Sequence, residues 1–337
     1  MLALVGGATA LTFVPTGNVA IEPHQPIDLA GSVIIDGKQT PPVNGRIFLV
    51  GVEERQLNQL QQVLLRFDSK VTIEPDPYQG MEQIQENRDK AAIVDSKDYA
   101  AAVAFDLLGE KVEVSGAGAI VEEVATDGPA NGLLKVGDQV VRINGKTVHT
   151  SVDLVRAVGS YPPGTRVTLG VRRDNLPYVF KIATAPPLPG DDLHKSRLGL
   201  NLNTPGLKIH LPHEVKIESK NVVGPSAGLA FALAIYDARS ASDLFRGRYI
   251  VATGALSLEG QVLEIGAVRQ KAISAVDGGA EIFLVPKANV ADAQAAVKEF
   301  CHRQGQCTRI VGVSSVSDAI DVLKLSPEAL DARAANP

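Results

Sequence analysis

Apolar and polar positions along this chain recur with two different periods, and the changes between them mark out its elements. Gly45-Arg-Ile-Phe-Leu-Val-Gly-Val52, Arg248-Tyr-Ile-Val-Ala-Thr-Gly254 and Glu281-Ile-Phe-Leu-Val-Pro286 are short apolar runs that predict strands. Glu53 to Phe67 has a helix-like pattern, and Met81 to Leu108 reads as one or two helices. From Gly118 the pattern alternates. A strand runs into a turn at Asp127-Gly128-Pro129, and a short helix ends near Gly132. Gly137-Asp138 turns into a second strand that closes on an Asn144-Gly145 hairpin. Val152 to Val158 predicts a helix, and Thr165–Val171 with Tyr178–Ala183 closes the sheet. Ala183 to Asp192, with Pro186, Pro187 and Pro189, reads as a stiff exit linker. Leu229 to Tyr236 predicts a helix, Glu259-Gly260 a hairpin turn, and Ser315 to Leu325 a last helix before an Ala-rich tail.

Two of these predicted helices carry the chemistry. Gly224-Pro225-Ser226-Ala227-Gly228 opens the first, and proline is tolerated at a first helical position because its missing N–H costs nothing there. Ser226 then falls in the first turn, where backbone N–H groups lack intrahelical partners and favour negative charge. An oxyanion formed by attack of Ser226 would gain from such donors. In the second helix Val268, Ala272, Ala275 and Val276 fall at i, i+4, i+7 and i+8, and Lys271 at i+3 shares their apolar face. Gly278-Gly279 supplies its C-cap. Desolvation lowers the pKa of a lysine, and a neutral amine can take the proton of a serine. The bland alternative is a lysine that snorkels its head into water.

At this point the sequence resembles the catalytic domain of Lon proteases. The matching pieces are Gly224-Pro-Ser-Ala-Gly228, Thr253-Gly254, Gly260-Gln-Val-Leu-Glu-Ile-Gly266, Lys271 and Gly279-Ala-Glu-Ile-Phe-Leu-Val-Pro286, in the order and spacing of that family. The resemblance implies a Ser–Lys dyad, with Ser226 as nucleophile, Lys271 as general base and Thr253 hydrogen-bonded near the lysine amine. Gly224, Pro225, Ala227 and Gly228 would support the serine. Two positions depart from the family: Ala255 stands where an acidic residue usually follows Thr-Gly, and Val223 where Asp usually precedes Gly-Pro-Ser.

The alternating segment is similar to a bacterial PDZ domain over residues 109–185. PDZ domains bind extended peptides by adding them as a strand. The resemblance nominates Leu108, Gly109 and Val112 for the carboxylate loop and edge strand, and Leu154 and Val158 for the side-chain pocket. Together the two modules resemble the membrane-anchored PDZ–Lon-like proteases of bacteria. The expected class is α+β: a Lon-type protease domain with an inserted PDZ β-sandwich or partial barrel. The expected organisation is a partial membrane anchor (1–14), an extended tether (15–44), an opening Lon-like segment (45–108), the PDZ domain (109–185), a linker (186–192), the Lon-like domain (193–325) and a tail (326–337). An N-terminal anchor implies an extracytoplasmic body on the cell membrane. There Cys301 and Cys307 would close a small disulfide.

Composition removes competing classes. The chain has 337 residues, 45% of them hydrophobic, and a net charge of −5. That balance, without basic clusters among aromatics, argues against nucleic-acid binding. Gly145-Lys146-Thr147 resembles the end of a Walker A sequence, but Val140 stands where its upstream glycine is required, so ATP-independent action is expected. Gly224-x-Ser226-x-Gly228 also fits the nucleophile elbow of α/β-hydrolases, yet His302 is the only histidine after Ser226 and no Ser–acid–His order is available beyond a polar loop. His210 and His213 bracket Leu211-Pro212 and read as a strand end, not a zinc site. No metal and no cofactor is expected. Polypeptide substrates, the membrane and further copies of the chain are the partners admitted. A catalytically silent PDZ/Lon-fold scaffold is the alternative function, and intact Ser226 and Lys271 argue against it.

Overall fold

The structure is a computed structural model that describes residues 14–39, 44–187, 195–219, 222, 224–240, 242–301 and 307–335. The chain divides into two compact units. The first comprises residues 1–104, 214–256 and 262–337, and the second residues 105–213 with 257–261.

The first unit is built on a five-stranded sheet in the order Ile27–Asp28, Arg46–Leu49, Tyr249–Ala252, Ile282–Pro286, Arg309–Val313. The last four strands run parallel. Strands of a parallel sheet are covered on both faces and read as continuous apolar runs. Ile282–Pro286 is buried at every position for that reason. The helices Val268–Gly278 and Val290–Phe300 pack on this sheet through Ala272, Ile273, Ala275, Ala293 and Ala296 against Val251, Phe283 and Val285. Gly279 takes φ +78° and caps the first of them, as its sequence requires.

The described residues of the expected tether, 15–39 and 44, include paired strands. Pro15–Pro23 is a strand between Val52–Asn58 and Thr72–Pro75, antiparallel to both. Pro15 and Pro23, two of the prolines that suggested a tether, stand at the ends of the strand, where a missing N–H does not interrupt the ladder. Val33–Ile35 pairs with Val215–Ile217. The pattern from Glu53 to Phe67 also resolves differently. Val52–Asn58 is a strand, and the helix is confined to Gln59–Leu65, started by a capping box between Asn58 and Gln61. Met81 to Leu108 yields one helix, Glu82–Leu107.

The second unit centres on a sheet in the order Leu176–Ala183, Arg166–Arg173, Gln139–Ile143, Ala119–Val124, Leu200–Asn203, with Ser151–Gly159 as its helix. Asn144 and Gly145 take φ +49° and +82° in the hairpin after Ile143. The sheet does not end at Ala183. After the proline-containing segment, Leu200–Asn203 returns antiparallel to Ala119–Val124 and forms an edge. The residues expected to open the protease domain from 193 thus supply, up to His213, part of the second unit.

Of the residues expected to form a membrane anchor, 1–14, all but Val14 lie outside the described residues, as do His194, Val223 and His302. Among the described residues no helix is long and apolar enough to cross a membrane. Cys301 and Cys307 form a disulfide with Cα atoms 5.8 Å apart.

Candidate active site

Ser226 sits in a single 3-10 turn, Pro225–Ala227, that leads directly into the helix Gly228–Arg239. Gly224 enters the turn at φ +82°, a conformation open to glycine at no steric cost. Gly228 is the contact point behind the serine: a Cβ there would meet Leu256 Cγ at 3.0 Å and Ser96 Oγ at 3.1 Å. The apolar run Leu229–Ile235 is wholly buried, so the helix is fixed on all sides and the turn is held at its end.

The backbone around Ser226 is tied at five points. Its carbonyl accepts the Gly254 N–H at 2.8 Å and the Thr253 hydroxyl at 3.2 Å. The Leu229 N–H donates to the Gly254 carbonyl at 3.0 Å. The long helix Glu82–Leu107 supplies the rest: the Gly224 N–H donates to the Asp89 carbonyl at 3.1 Å, and the Ser96 hydroxyl to the Pro225 carbonyl at 3.0 Å. The amides of Gly224, Gly228 and Leu229 are therefore committed to holding the turn, with Gly228 N–H on the Pro225 carbonyl. The open helix start expected from the sequence is narrower than a full turn of free donors.

Thr253 is fully buried and its hydroxyl serves the serine carbonyl. The resemblance placed it beside the lysine amine, whereas the bond it donates here goes to Ser226. Lys271 lies one turn into Val268–Gly278 and is 5% exposed. Burial pushes its pKa down to about 8, and the carboxylate of Glu54 partly opposes that change. Lys271 does not snorkel. Ser226 and Lys271 both lie in the first unit.

A second lysine stands near the serine helix. Lys97 donates to the Ile217 carbonyl at 2.9 Å and lies 6.0 Å from the centre of the Phe231 ring. Desolvation lowers its pKa as well, but its amine is engaged by a backbone carbonyl. Neither Ser96 nor Lys97 carries a sequence signal of its own. Both fall within a long polar-looking helix, and only the fold brings them to the Gly-Pro-Ser turn.

The residues that the resemblance nominated for peptide binding do not all lie together. Leu108 and Gly109 form the turn that ends the long helix, with Gly109 N–H on the Asp106 carbonyl and Glu110 N–H on that of Phe105. Val112 precedes Glu113–Ser115, which pairs with Lys208–His210 in a separate two-stranded sheet. An apolar cavity of about 360 Å³ instead lies between Ser151–Gly159 and the returning strand, lined by Leu154, Val155, Val158, Leu198, Leu200 and Leu202. Leu154 and Val158 thus line this cavity, while Leu108, Gly109 and Val112 do not. The displaced signal is legible in hindsight: Leu198, Leu200 and Leu202 alternate, and Gly199 has φ +72° with no room for a side chain, since a Cβ would sit 2.5 Å from Gly128 Cα.

His213 pairs with Glu110 at 2.9 Å, and its ring packs against that of Phe105 at a tilt of 45°. Among the described residues no group of three or more His, Cys, Asp or Glu side chains is arranged to hold a metal ion.

Comparison with known proteins agrees with both units. Residues 201–324 match the Lon protease (S16) C-terminal proteolytic domain, and residues 106–184 match the PDZ domain. The chain carries a PDZ domain and a Lon C-terminal protease domain in a mixed α+β fold. The Lon match starts at 201, inside the strand that pairs into the PDZ sheet, so sequence relationship and packing divide the chain at different residues. A protein described as "Probable periplasmic serine endoprotease DegP-like", from Pseudomonas fulva (strain 12-X), is 40% identical over 77 residues, covering 23% of this chain and 16% of that protein. A Lon protease of Neorickettsia sennetsu (strain ATCC VR-367 / Miyayama) is 35% identical over 97 residues, covering 29% and 11%. The matches span less than a fifth of these relatives' lengths. Among solved structures, the PDZ domain of the SdrC-like protein (Lin2157) from Listeria innocua covers 25% of this chain and 92% of its own at 24% identity, with a TM-score of 0.23.

Proposed function

We propose that this chain is an ATP-independent serine endopeptidase working through a Ser226–Lys271 dyad. The observation that carries the reading is the burial of Lys271, whose amine is depressed to about 8 and so is available in the neutral form near physiological pH. Ser226 Oγ attacks the peptide carbonyl while Lys271 Nζ takes its proton. The resulting ammonium returns that proton to the departing amine, leaving an ester on Ser226. Water then attacks the ester with Lys271 again as base, and the acid product leaves. Substrate binding completes the contact between the two side chains, as catalytic hydrogen bonds often tighten only in the complex. Thr253, Gly254, Ser96 and Asp89 keep the serine turn from shifting during this cycle.

The PDZ groove holds the end of a polypeptide in this reading. Leu200–Asn203 offers an edge to which an extended peptide adds as a strand, and Leu154, Val155 and Val158 receive its alternate side chains. An extracytoplasmic body anchored through residues 1–14 belongs to the same reading, supported by the Cys301–Cys307 disulfide. The test is a serine-reactive phosphonate applied to the full chain. Labelling of Ser226, lost in Lys271→Ala, is expected; labelling elsewhere, or undiminished labelling without the lysine, overturns the dyad.

A further inference from the structure

The short helix Gln59–Leu65 turns its apolar residues two ways. Leu60 and Leu65 are half-buried, and the helix packs on the strands Pro15–Pro23 and Val52–Asn58. Val63 and Leu64 point outward, 53% and 62% exposed. The helical path continues past Leu65, with the Phe67 N–H on the Leu64 carbonyl at 3.3 Å and the Asp68 N–H on that of Leu65 at 3.1 Å. Phe67 thus falls three residues after Leu64 and four after Val63, the spacings of neighbours on a helical surface. It is 87% exposed, more than any other large apolar side chain among the described residues. Single exposed apolar residues are ordinary, whereas a cluster marks a contact surface. The helix itself, Gln-Leu-Gln-Gln-Val-Leu-Leu, carries no charge.

The position of this helix in the chain says what covers it. The Gln59 N–H donates to the Val14 carbonyl at 3.1 Å, so the helix starts where residues 1–13 join the first unit. Two further bonds hold the two segments together: the Thr16 hydroxyl donates to the Leu57 carbonyl at 2.9 Å, and Asn18 Nδ2 to Gln62 Oε1 at 3.3 Å. Residues 1–13 are uncharged and include Leu2, Leu4, Val5, Leu11 and Phe13. Val14 is itself 42% exposed. At about 1.5 Å per residue, Phe67 lies roughly 12 Å along the helix from Gln59. Interfacial apolar faces sink about 5–10 Å into a bilayer, so a membrane that takes residues 1–13 lies within reach of the outward face of this helix.

We propose that Val63, Leu64 and Phe67 seat in the surface of the lipid bilayer that takes residues 1–13, as a second contact beside the anchor. The inference rests on the anchored reading. It makes the first unit a body held against the membrane at two places, not one that swings on a single strand.

The chain contains no tryptophan, so Phe67→Trp creates a single fluorescent reporter in the full chain. With phosphatidylcholine vesicles its emission is expected to shift to the blue and to be quenched by lipids brominated on their acyl chains. Val179→Trp, an equally open site on the second unit, should do neither. Replacing Val63, Leu64 and Phe67 together by Ser is expected to lower the vesicle partition coefficient at least 10-fold with thermal unfolding unchanged. A Phe67→Trp chain that floats with vesicles and keeps its aqueous emission overturns the seat and spares the anchor. A chain that does not float removes both. A blue shift that appears on concentrating the protein without lipid, and is indifferent to brominated lipid, gives the face to a second copy and overturns the proposal.

Discussion

The Thr253 hydroxyl donates to the carbonyl oxygen of Ser226 across 3.2 Å, from a side chain with no exposed surface. The backbone of the candidate nucleophile is thus pinned by the residue that follows the central strand Tyr249–Ala252. Thr253→Val keeps the shape and removes the donor, while Gly254 N–H still serves the same carbonyl at 2.8 Å. The expected cost in stability is about 1 kcal/mol, the usual worth of one buried hydrogen bond. The expected fall in kcat is roughly 10- to 100-fold, because small displacements of a reacting group are amplified in rate. Thr253→Ser should recover most of it. A Val variant with full kcat would show that the serine turn does not depend on this bond.

Lys271 ties activity and stability to pH in opposite ways from an exposed lysine. In the proposed role of base it must be neutral, so kcat/KM is expected to rise with pH through about 8. Its folded pKa lies below the unfolded value of about 10.4. Between those values the unfolded chain binds the extra proton, so this group's penalty on stability is full below about 8 and fades as pH rises toward 10.4. Lys271→Met, of similar volume and no charge, should be inactive yet more stable at neutral pH, by at most on the order of 3 kcal/mol. Ser226→Ala is expected to lose as much activity as the double variant, since the pair acts as a unit. Thermal unfolding and peptide cleavage across pH 6 to about 10 check both statements.

Asp237 shows the reverse sign. It lies on the serine helix, 4% exposed, and accepts the Leu244 N–H at 3.0 Å. Burial raises its pKa to about 6, against the backbone hydrogen bond that lowers it, with the charge of Asp243 adding to the rise. Because the folded value is the higher one, the native state holds the proton longer, and stability falls as pH climbs from about 4 through 6. Asp237→Asn keeps an acceptor for Leu244 and has no charge to desolvate. It should match wild type near pH 4 and exceed it at pH 7, by on the order of 3 kcal/mol at most. Parallel stability curves for the two proteins would remove the carboxyl as the cause.

The strands that were legible in the sequence are those whose apolar runs are buried on both faces, Arg46–Leu49, Tyr249–Ala252 and Ile282–Pro286. The two chemical helices were legible too, through Gly-Pro at one start and the apolar face of the other. What escaped was long-range pairing. Pro15–Pro23 looks like a tether until Val52–Asn58 and Thr72–Pro75 flank it. Leu200–Asn203 looks like the opening of a new domain until it returns to Ala119–Val124. Local pattern states that a segment is a strand, not which distant strand completes it. Ser96 was invisible for the same reason: its hydroxyl reaches the serine turn from an element whose own sequence carries no chemistry.

The disulfide offers a small and local effect. Cys301 and Cys307 close a short loop between the helix Val290–Phe300 and the strand Arg309–Val313. The chain-entropy relation gives about 2 kcal/mol for so short a loop. Cys301→Ser with Cys307→Ser is expected to lower the melting temperature by a few degrees and leave kcat unchanged. Mass spectrometry with thiols blocked at lysis reads the bond in native material. Two alkylated cysteines would withdraw the support this pair lends to an extracytoplasmic body.

The pairing of Leu200–Asn203 with Ala119–Val124 changes how the PDZ domain is to be removed. Excising residues 110–185 would leave Leu200–Asn203 without the strand it pairs with, exposing an orphaned edge and the leucines behind it. The excision that follows the packing runs from Phe105 to His213, with a short flexible bridge. Such a protein is expected to react with small ester reagents as the full chain does and to cleave long polypeptides less efficiently, with the loss in KM. A point variant reads the same effect without surgery. Val155 lines the groove and is only partly buried, so Val155→Glu places a charge in the apolar cavity without removing core volume. Binding of a fluorescent peptide with an apolar C-terminus is expected to weaken at least 10-fold, the cost of about 1.4 kcal/mol or more. The same change at Val112, outside the groove, should leave it intact. Equal loss from both substitutions would return the peptide site to the segment after the long helix and detach it from Leu200–Asn203.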